Sequence, residues 1–510
     1  MNETRTNHPT LRFAGYAELV SRYGLDVIPN WHRSLITTSG IQRISSTGGT
    51  IEEIYPATYW PGDTLGDHIE FALKYDGTNF GILASLFQKI SGDEFLNYIL
   101  SKPTGKYTRR LWFLYEFITA TTLPVKDLET GNYIDLLDSD QYYTITPARR
   151  VKRQRINDNL LGDRRFCPTV RRTDQLKKFE KSNFPARCRK VVSGFSRDVL
   201  KRALRYLYTK ETKSSFEIEH ITPSTTRTER FIMLLKLAER EDFCEKVKLI
   251  DLQNRVVDPR FSDLDYRTKQ NYVGQTVAWQ RERIHFVCPK PEDLPALMDG
   301  LIAAHKCMEE GGVSAAIHAA AIAFGFVFLH PFEDGNGRIH RFLIHNILAR
   351  RGFTPEGIMF PISASMLRNL VKYNASLEAF SQSLMALVEY SLDKEGRMTV
   401  HNETALWYRY IDMTPQSEAL FRFIEQTIET DLVEELTFLE NYDKTKTAIQ
   451  SIVDLPDRQI DLFIRFCLQN NGRLSNSKRA SHFRALSEDE IVGMERALHS
   501  YYMKDRANEF

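Results

Sequence analysis

A chain of 510 residues is too long for one ordinary hydrophobic core, so two to four domains are expected. Its composition, 42% hydrophobic and 26% charged with a formal net charge of +2, is globular and has no low-complexity tract. Six scattered cysteines without a CxxC pair exclude a structural zinc site and a disulfide framework, and fit a reducing, cytoplasmic setting.

The N-terminus, MNETRTNHPTLRF, lacks the basic-then-apolar order of a secretory signal. Residues 1 to about 100 alternate short apolar runs with clusters of Ser, Thr, Gly and Pro, which predicts a small strand pair before helices begin. DHIEFALKY, NFGILASLFQKI and YTRRLWFLYEFITATTL carry helical periodicity. Next comes a basic stretch: residues 149–213 hold 21 Lys/Arg against 6 Asp/Glu, a local balance of +15. Solvated helix faces packed against acidic neighbours explain it better than a nucleic-acid footprint, because it includes the amphipathic SRDVLKRALRYLYTK; binding of nucleic acid is possible but not favoured.

Helical patterns dominate from 195 to 395. Val313–Leu329 is strongly apolar, but at 17 residues it is short for a bilayer, carries His318 and runs into a polar loop, which makes it a buried core helix and not a membrane span. A second helical block follows and ends in a capping box, Ser487 with Glu490. NNGRLSNSKRASHF, near 470–483, fits the end of a helical bundle better than a basic wing. The fold class is mostly α, with domains at 1–194, 195–395 and 396–510.

HPFEDGNGRIHR, His330–Arg341, is the most informative stretch. Pro331 stops the apolar helix, and Gly335, Asn336 and Gly337 approach the next one, whose first N–H groups and positive dipole end suit phosphate. Arg338 and Arg341, three apart, project from one helix face and can grip phosphate oxygens. Asp334 is placed to hold Mg²⁺, which takes one or two protein carboxylates. His330 beside this cradle has the pKa of a general base near neutral pH. Together these residues predict nucleotidyl or phosphoryl transfer. Zinc catalysis through His330, Asp334, His340 and His345 is disfavoured by the spacing and by the lack of an HExxH or HD pair.

The stretch resembles the Fic signature, HPFx(D/E)GNGRxxR, at every fixed position, and the chain is identified as a member of the Fic family over about 195–390. The resemblance implies a Fic-fold helical core that transfers AMP from ATP, with Mg²⁺, to a Ser, Thr or Tyr hydroxyl of a protein, the chain itself included. It assigns His330 as base, Phe332 as loop anchor, Asp334 as metal ligand, Gly335, Asn336 and Gly337 as the anion hole, and Arg338 and Arg341 to the β- and γ-phosphates.

Upstream, KSSFEIEH resembles the family's inhibitory helix, (S/T)xxxE(G/N), with Ser215 and Glu219 in the matching places and His220 where Gly or Asn is usual. The implied role of Glu219 is to pair with Arg341 and obstruct the γ-phosphate, as in the N-terminally inhibited class. The stretch 267–289 resembles the flap that holds the target by strand addition, presenting Tyr272, Val273 and Gly274; RNLVKYNASL resembles the adenine-side helix, with Tyr373 as contact. Two rival expectations remain: removal of AMP, with Glu219 aligning water, and a nucleic-acid-binding regulator with the Fic site as nucleotide sensor.

Overall fold

The computed structural model describes residues 11–38, 42–47, 49–278 and 281–503. The chain is mostly helical, and its residues group into two compact units, each drawn from separated stretches. One comprises Met1–Lys181, Met233–Phe353 and Asn369–Phe421; the other comprises Ser182–Ile232, Thr354–Arg368 and Arg422–Phe510.

The first unit begins with a four-stranded sheet where the sequence suggested one strand pair. Leu11–Ala14, His32–Thr37, Thr50–Pro56 and Arg43–Thr47 lie side by side in that order. The strands are only four to seven residues long, and His32–Thr37 buries His32 and Ser34 on the face of Ile36, so no clean hydrophobic alternation marks it. Asp76 satisfies that polar face by accepting from Ser34 Oγ and bonding His32 Nδ1 at 2.9 Å.

The first unit also holds the apolar helix, Ala315–Leu329. It is buried on nearly every side, as a helix without a polar face must be. Gly325 permits this closeness: a Cβ there would stand 2.7 Å from Phe166 Cζ and 2.8 Å from Leu301 Cδ1. The helices Leu294–Glu310 and Asn336–Arg350 pack against it. A hairpin, Tyr272–Ala278 with Arg281–Val287, completes the surroundings of the loop at 330–335. Among the described residues no helix is long and apolar enough to cross a membrane.

The second unit is helical. Arg197–Glu217 packs on Leu432–Ile452 and on Ile362–Arg368, whose first turn is held by the buried Glu211 accepting from Ser363 N–H at 2.8 Å. Ile460, Phe463, Ile464, Ile491, Met494 and Leu498 form a further small core. The last helix, Glu488–Tyr502, has the Ser487–Glu490 capping box, and Asn476–His482 is a short helix with no wing strand beside it among the described residues.

Carboxylates take up much of the basic stretch. Arg149, Arg153, Arg165, Arg171 and Arg172 pair with acids of the first unit, and Arg187, Arg202 and Lys210 with acids of the second.

Candidate active site

The loop at 330–335 follows from how one helix ends and the next starts. The apolar helix stops at Leu329, and His330 caps it in the left-handed conformation (φ 51°, ψ 59°), its N–H donating to Phe326 O at 2.9 Å. Histidine tolerates this region better than most side chains but does not favour it, so the surroundings must impose it. Pro331 removes the next donor, and Phe332 drives its buried ring in beside Tyr266 and Phe326.

Asn336 then locks the loop. Its side chain is 2% exposed; Nδ2 donates to Phe332 O at 2.7 Å and Oδ1 accepts Phe332 N–H at 3.1 Å. The resemblance assigned Asn336 to the anion hole. Its amide side chain makes this brace, and its backbone N–H belongs to the helix's first turn. Gly335 sits at φ 91°, and a Cβ there would meet Val257 Cγ1 at 2.9 Å, so a side chain is excluded by both conformation and space.

The charged residues converge on the same turn. Asp334 Oδ1 accepts Gly335 N–H at 2.6 Å and Arg338 Nη2 at 2.7 Å. Among the described residues the hydrogen bonds to this half-exposed carboxylate all fall on Oδ1, leaving Oδ2 for a cation, so the group fits the Mg²⁺ role. Arg338 is buried and also donates to Val256 O at 3.2 Å; Arg341 is buried one turn on along the same helix. Gly337 precedes Arg338 in the first turn.

His330 Nδ1 lies 3.2 Å from Val327 O. A carbonyl only accepts, so Nδ1 carries the proton and Nε2 keeps the lone pair. The near-neutral pKa expected from the residue type is not found. Burial pulls it down to about 4, the Arg267 cation adds to this, and the Val327 carbonyl and Asp334 oppose it. The imidazole is therefore a neutral base throughout the physiological range.

Three residues that sequence reasoning passed over hold this loop. Gln253, fully buried, places its Nε2 among Phe261 O (3.0 Å), Asp263 Oδ2 (3.1 Å) and Asp334 O (3.4 Å). Asp263 Oδ2 also accepts Glu333 N–H at 3.3 Å. Arg267 donates through Nε to His330 O at 2.8 Å and through its backbone N–H to Pro331 O at 2.8 Å. Gln253 had one sequence signal, a polar residue on the apolar stripe of Leu249, Leu252 and Val256; Asp263 and Arg267 had none.

Tyr272, Val273 and Gly274 lie on the first strand of the hairpin, with Val273 41% exposed and Gly274 opposite Ile284. Tyr272 Oη donates to Gly396 O at 3.3 Å. Tyr373 is 3% exposed, its ring stacked on that of His340 with centroids 6.2 Å apart. Ser215 and Glu219 belong to the second unit. Ser215 is buried in the last turn of Arg197–Glu217, and Glu219 follows in a turn where its N–H donates to Phe216 O at 3.0 Å. His220 comes next with φ 57°. That is the left-handed conformation Gly and Asn most readily adopt after a helix end, and here histidine adopts it.

A second histidine cluster, Asp242, His305 and Glu309, has the composition of a metal site. Its protons point the wrong way. Arg351 Nη1, always charged, donates to His318 Nδ1 at 3.0 Å, so His318 Nε2–H donates to His305 Nδ1 at 3.0 Å. His305 Nε2 then carries a proton toward Asp242 Oδ2 at 3.2 Å and has no lone pair for a metal. Arg350 reaches both Asp242, at 3.4 Å, and Glu309, at 3.0 Å, so the cluster is a brace of hydrogen bonds and ion pairs.

Comparison with known proteins agrees with this geometry. A model described as "Fic/DOC family" matches residues 243–348. Protein adenylyltransferase Fic of Aedes aegypti is 26% identical over 258 residues, 44% of this chain and 48% of that protein. The protein of the same name from Drosophila mojavensis is 31% identical over 110 residues, 21% of this chain and 20% of its own. Among solved structures, a Fic family protein from Desulfovibrio desulfuricans G20 aligns at 16% identity with a TM-score of 0.37, covering 66% of this chain and 90% of that one. The chain spans about half the length, or less, of the two adenylyltransferases it matches. With the signature loop folded around His330 and the helix at 336–350 behind it, residues 243–348 of this chain are a domain of the Fic/DOC family.

Proposed function

We propose that this chain is a protein adenylyltransferase that moves AMP from Mg-ATP to a Ser, Thr or Tyr hydroxyl of a protein, itself included. One observation carries the reading: His330 is held with its Nε2 lone pair unprotonated beside a glycine-bounded helix N-terminus with two buried arginines. Nε2 takes the proton of the attacking hydroxyl as its oxygen bonds to the α-phosphorus, and the bond from that phosphorus to pyrophosphate breaks. The N–H groups of Asn336 and Gly337 in the first turn would face the phosphates, with Gly335 admitting the close approach and Arg338 and Arg341 on the β- and γ-phosphates. Asp334 would hold Mg²⁺, which when bound neutralises phosphate charge.

Val273 and Gly274 of the hairpin and Tyr373 serve the nucleotide side. Tyr272, Val273 and Gly274 take the target by strand addition, which reads backbone more than sequence. Glu219, in the turn after Ser215, restrains the reaction by competing for arginine. Six free cysteines suit a cytoplasmic location.

The test is self-labelling with ATP carrying label at the α- or the γ-position, in wild type, Glu219→Gly and His330→Ala. The expected pattern is label from the α-position only, raised in Glu219→Gly and lost in His330→Ala. Label from γ would mean phosphorylation. No label in any variant would overturn adenylyl transfer and leave AMP removal or nucleotide sensing as the alternatives.

A further inference from the structure

We infer that Arg267 is a positioning residue, which fixes the base of the Tyr272–Val287 hairpin against the backbone of His330 so that a strand held on the hairpin meets Nε2. This rests on the adenylyl-transfer reading above and adds a residue that neither the signature nor the charge pattern points to.

Arg267 is 4% exposed, and among the described residues its side-chain hydrogen bonds all go to backbone carbonyls, none to a carboxylate. Nε reaches His330 O at 2.8 Å, Nη1 reaches Lys269 O at 2.8 Å, and Nη2 reaches Pro289 O at 2.7 Å. Lys269 precedes the first strand and Pro289 follows the second, so one planar group ties both ends of the hairpin to the histidine. The backbone N–H of Arg267 adds a fourth tie, to Pro331 O at 2.8 Å.

The hairpin base is closed independently. Cys288 N–H donates to Asn271 O at 3.1 Å, and Gln270 Nε2 spans Asn271 O and Cys288 O. Closing the hairpin therefore does not need Arg267; orienting it against His330 does.

A buried cation bonded only to neutral carbonyls is expensive, and burial lowers its pKa accordingly. What it supplies is rigidity, because the guanidinium holds its acceptors at fixed relative positions. Lysine, with one rotatable ammonium, cannot span all three directions.

The experiment uses the full chain in the Glu219→Gly background, with self-labelling from α-labelled ATP as readout. Arg267→Lys and Arg267→Gln are compared for maximal labelling rate, ATP concentration dependence and ADP affinity. Misplacement by about 1 Å costs on the order of 100-fold, so the maximal rate should fall roughly 10- to 100-fold in Arg267→Gln, and less in Arg267→Lys. ADP affinity should stay within about twofold, because no phosphate contact is removed.

Wild-type labelling rates in both variants would overturn the proposal. So would a parallel fall of rate and ADP affinity that follows loss of folded protein, which is the mark of a merely structural residue. If the parent Glu219→Gly chain shows no labelling, adenylyl transfer has failed, and amide exchange then decides on Arg267 alone. The N–H of residue 267, tied to Pro331 O, should exchange faster in Arg267→Lys, while that of Cys288 and those inside 315–329 do not change. Unchanged exchange at 267 would sink the positioning role.

Discussion

Replacing Asn336 by Ala separates a loop brace from a phosphate ligand. The side chain closes two hydrogen bonds onto one residue, Phe332 N–H and Phe332 O, and both are buried with it. Asn336→Ala removes both partners and leaves that donor and acceptor facing an apolar methyl. A buried polar group left unpaired costs about 1–3 kcal/mol, so the pair together costs about 2–6 kcal/mol.

That cost can be met in two ways. If the loop stays closed, thermal unfolding shifts down by the full amount. If the loop opens and rehydrates, the melt barely moves, but His330 and Asp334 lose their relative placement and the maximal labelling rate collapses. In both cases the half-saturating ATP concentration changes little beside the rate, because no side-chain contact to phosphate is lost. Asn336→Asp sharpens the test. It keeps an acceptor for Phe332 N–H but turns the Phe332 O donor into a carboxylate beside Asp334. Its stability should fall like that of the alanine variant, while ATP affinity falls further through added negative charge in an anion site. A melt and a maximal rate both at the wild-type level in Asn336→Ala would refute the brace. A rise in half-saturating ATP at unchanged rate would show direct phosphate binding instead.

Two further outcomes follow from the same geometry. The acid limb of the labelling rate should have its midpoint near 4, not near the ordinary histidine value, since burial holds His330 neutral that far down; a limb near 6.5 in the free enzyme would contradict it. The linkage runs the same way for stability. Burial lowers the folded pKa of His330 to about 4 and of His340 to about 3, and lowers that of His318 as well, so the unfolded chain binds more protons below about 6.5. Stability should therefore be complete above that pH and fall steadily from there to about 3, measurable by melts across the range. Gly335→Ala should destabilise by about 1–2 kcal/mol from left-handed backbone alone, with the Val257 contact in addition, and should slow labelling more than Gly337→Ala does; equal effects at the two glycines would deny the special backbone of Gly335.

The site was legible in the sequence to the extent that its chemistry lies in one contiguous run. His330 to Arg341 carries its own punctuation: a proline that ends a helix, glycines that admit a strained turn, and arginines at helical spacing. Local rules suffice to read it, because the end of the helix at 315–329 and the start of the one at 336–350 mark out the turn. The four-stranded N-terminal sheet was not legible, because one of its buried faces contains His32 and Ser34 and is made tolerable by Asp76, more than 35 residues away.

The same cause hid Arg267, Gln253 and Asp263. Each acts by meeting backbone carbonyls or amides of the loop 63 to 81 residues further on, and a carbonyl has no letter in a sequence. Asn336 shows the converse. Its letter is the most prominent in the loop and invites a ligand role, yet its side chain faces inward to Phe332, four residues back. A signature thus states which residues a site requires, but not which of them touch substrate. In this loop the division falls between Asn336, Gln253 and Arg267, which hold the backbone, and the imidazole and carboxylate that the backbone presents.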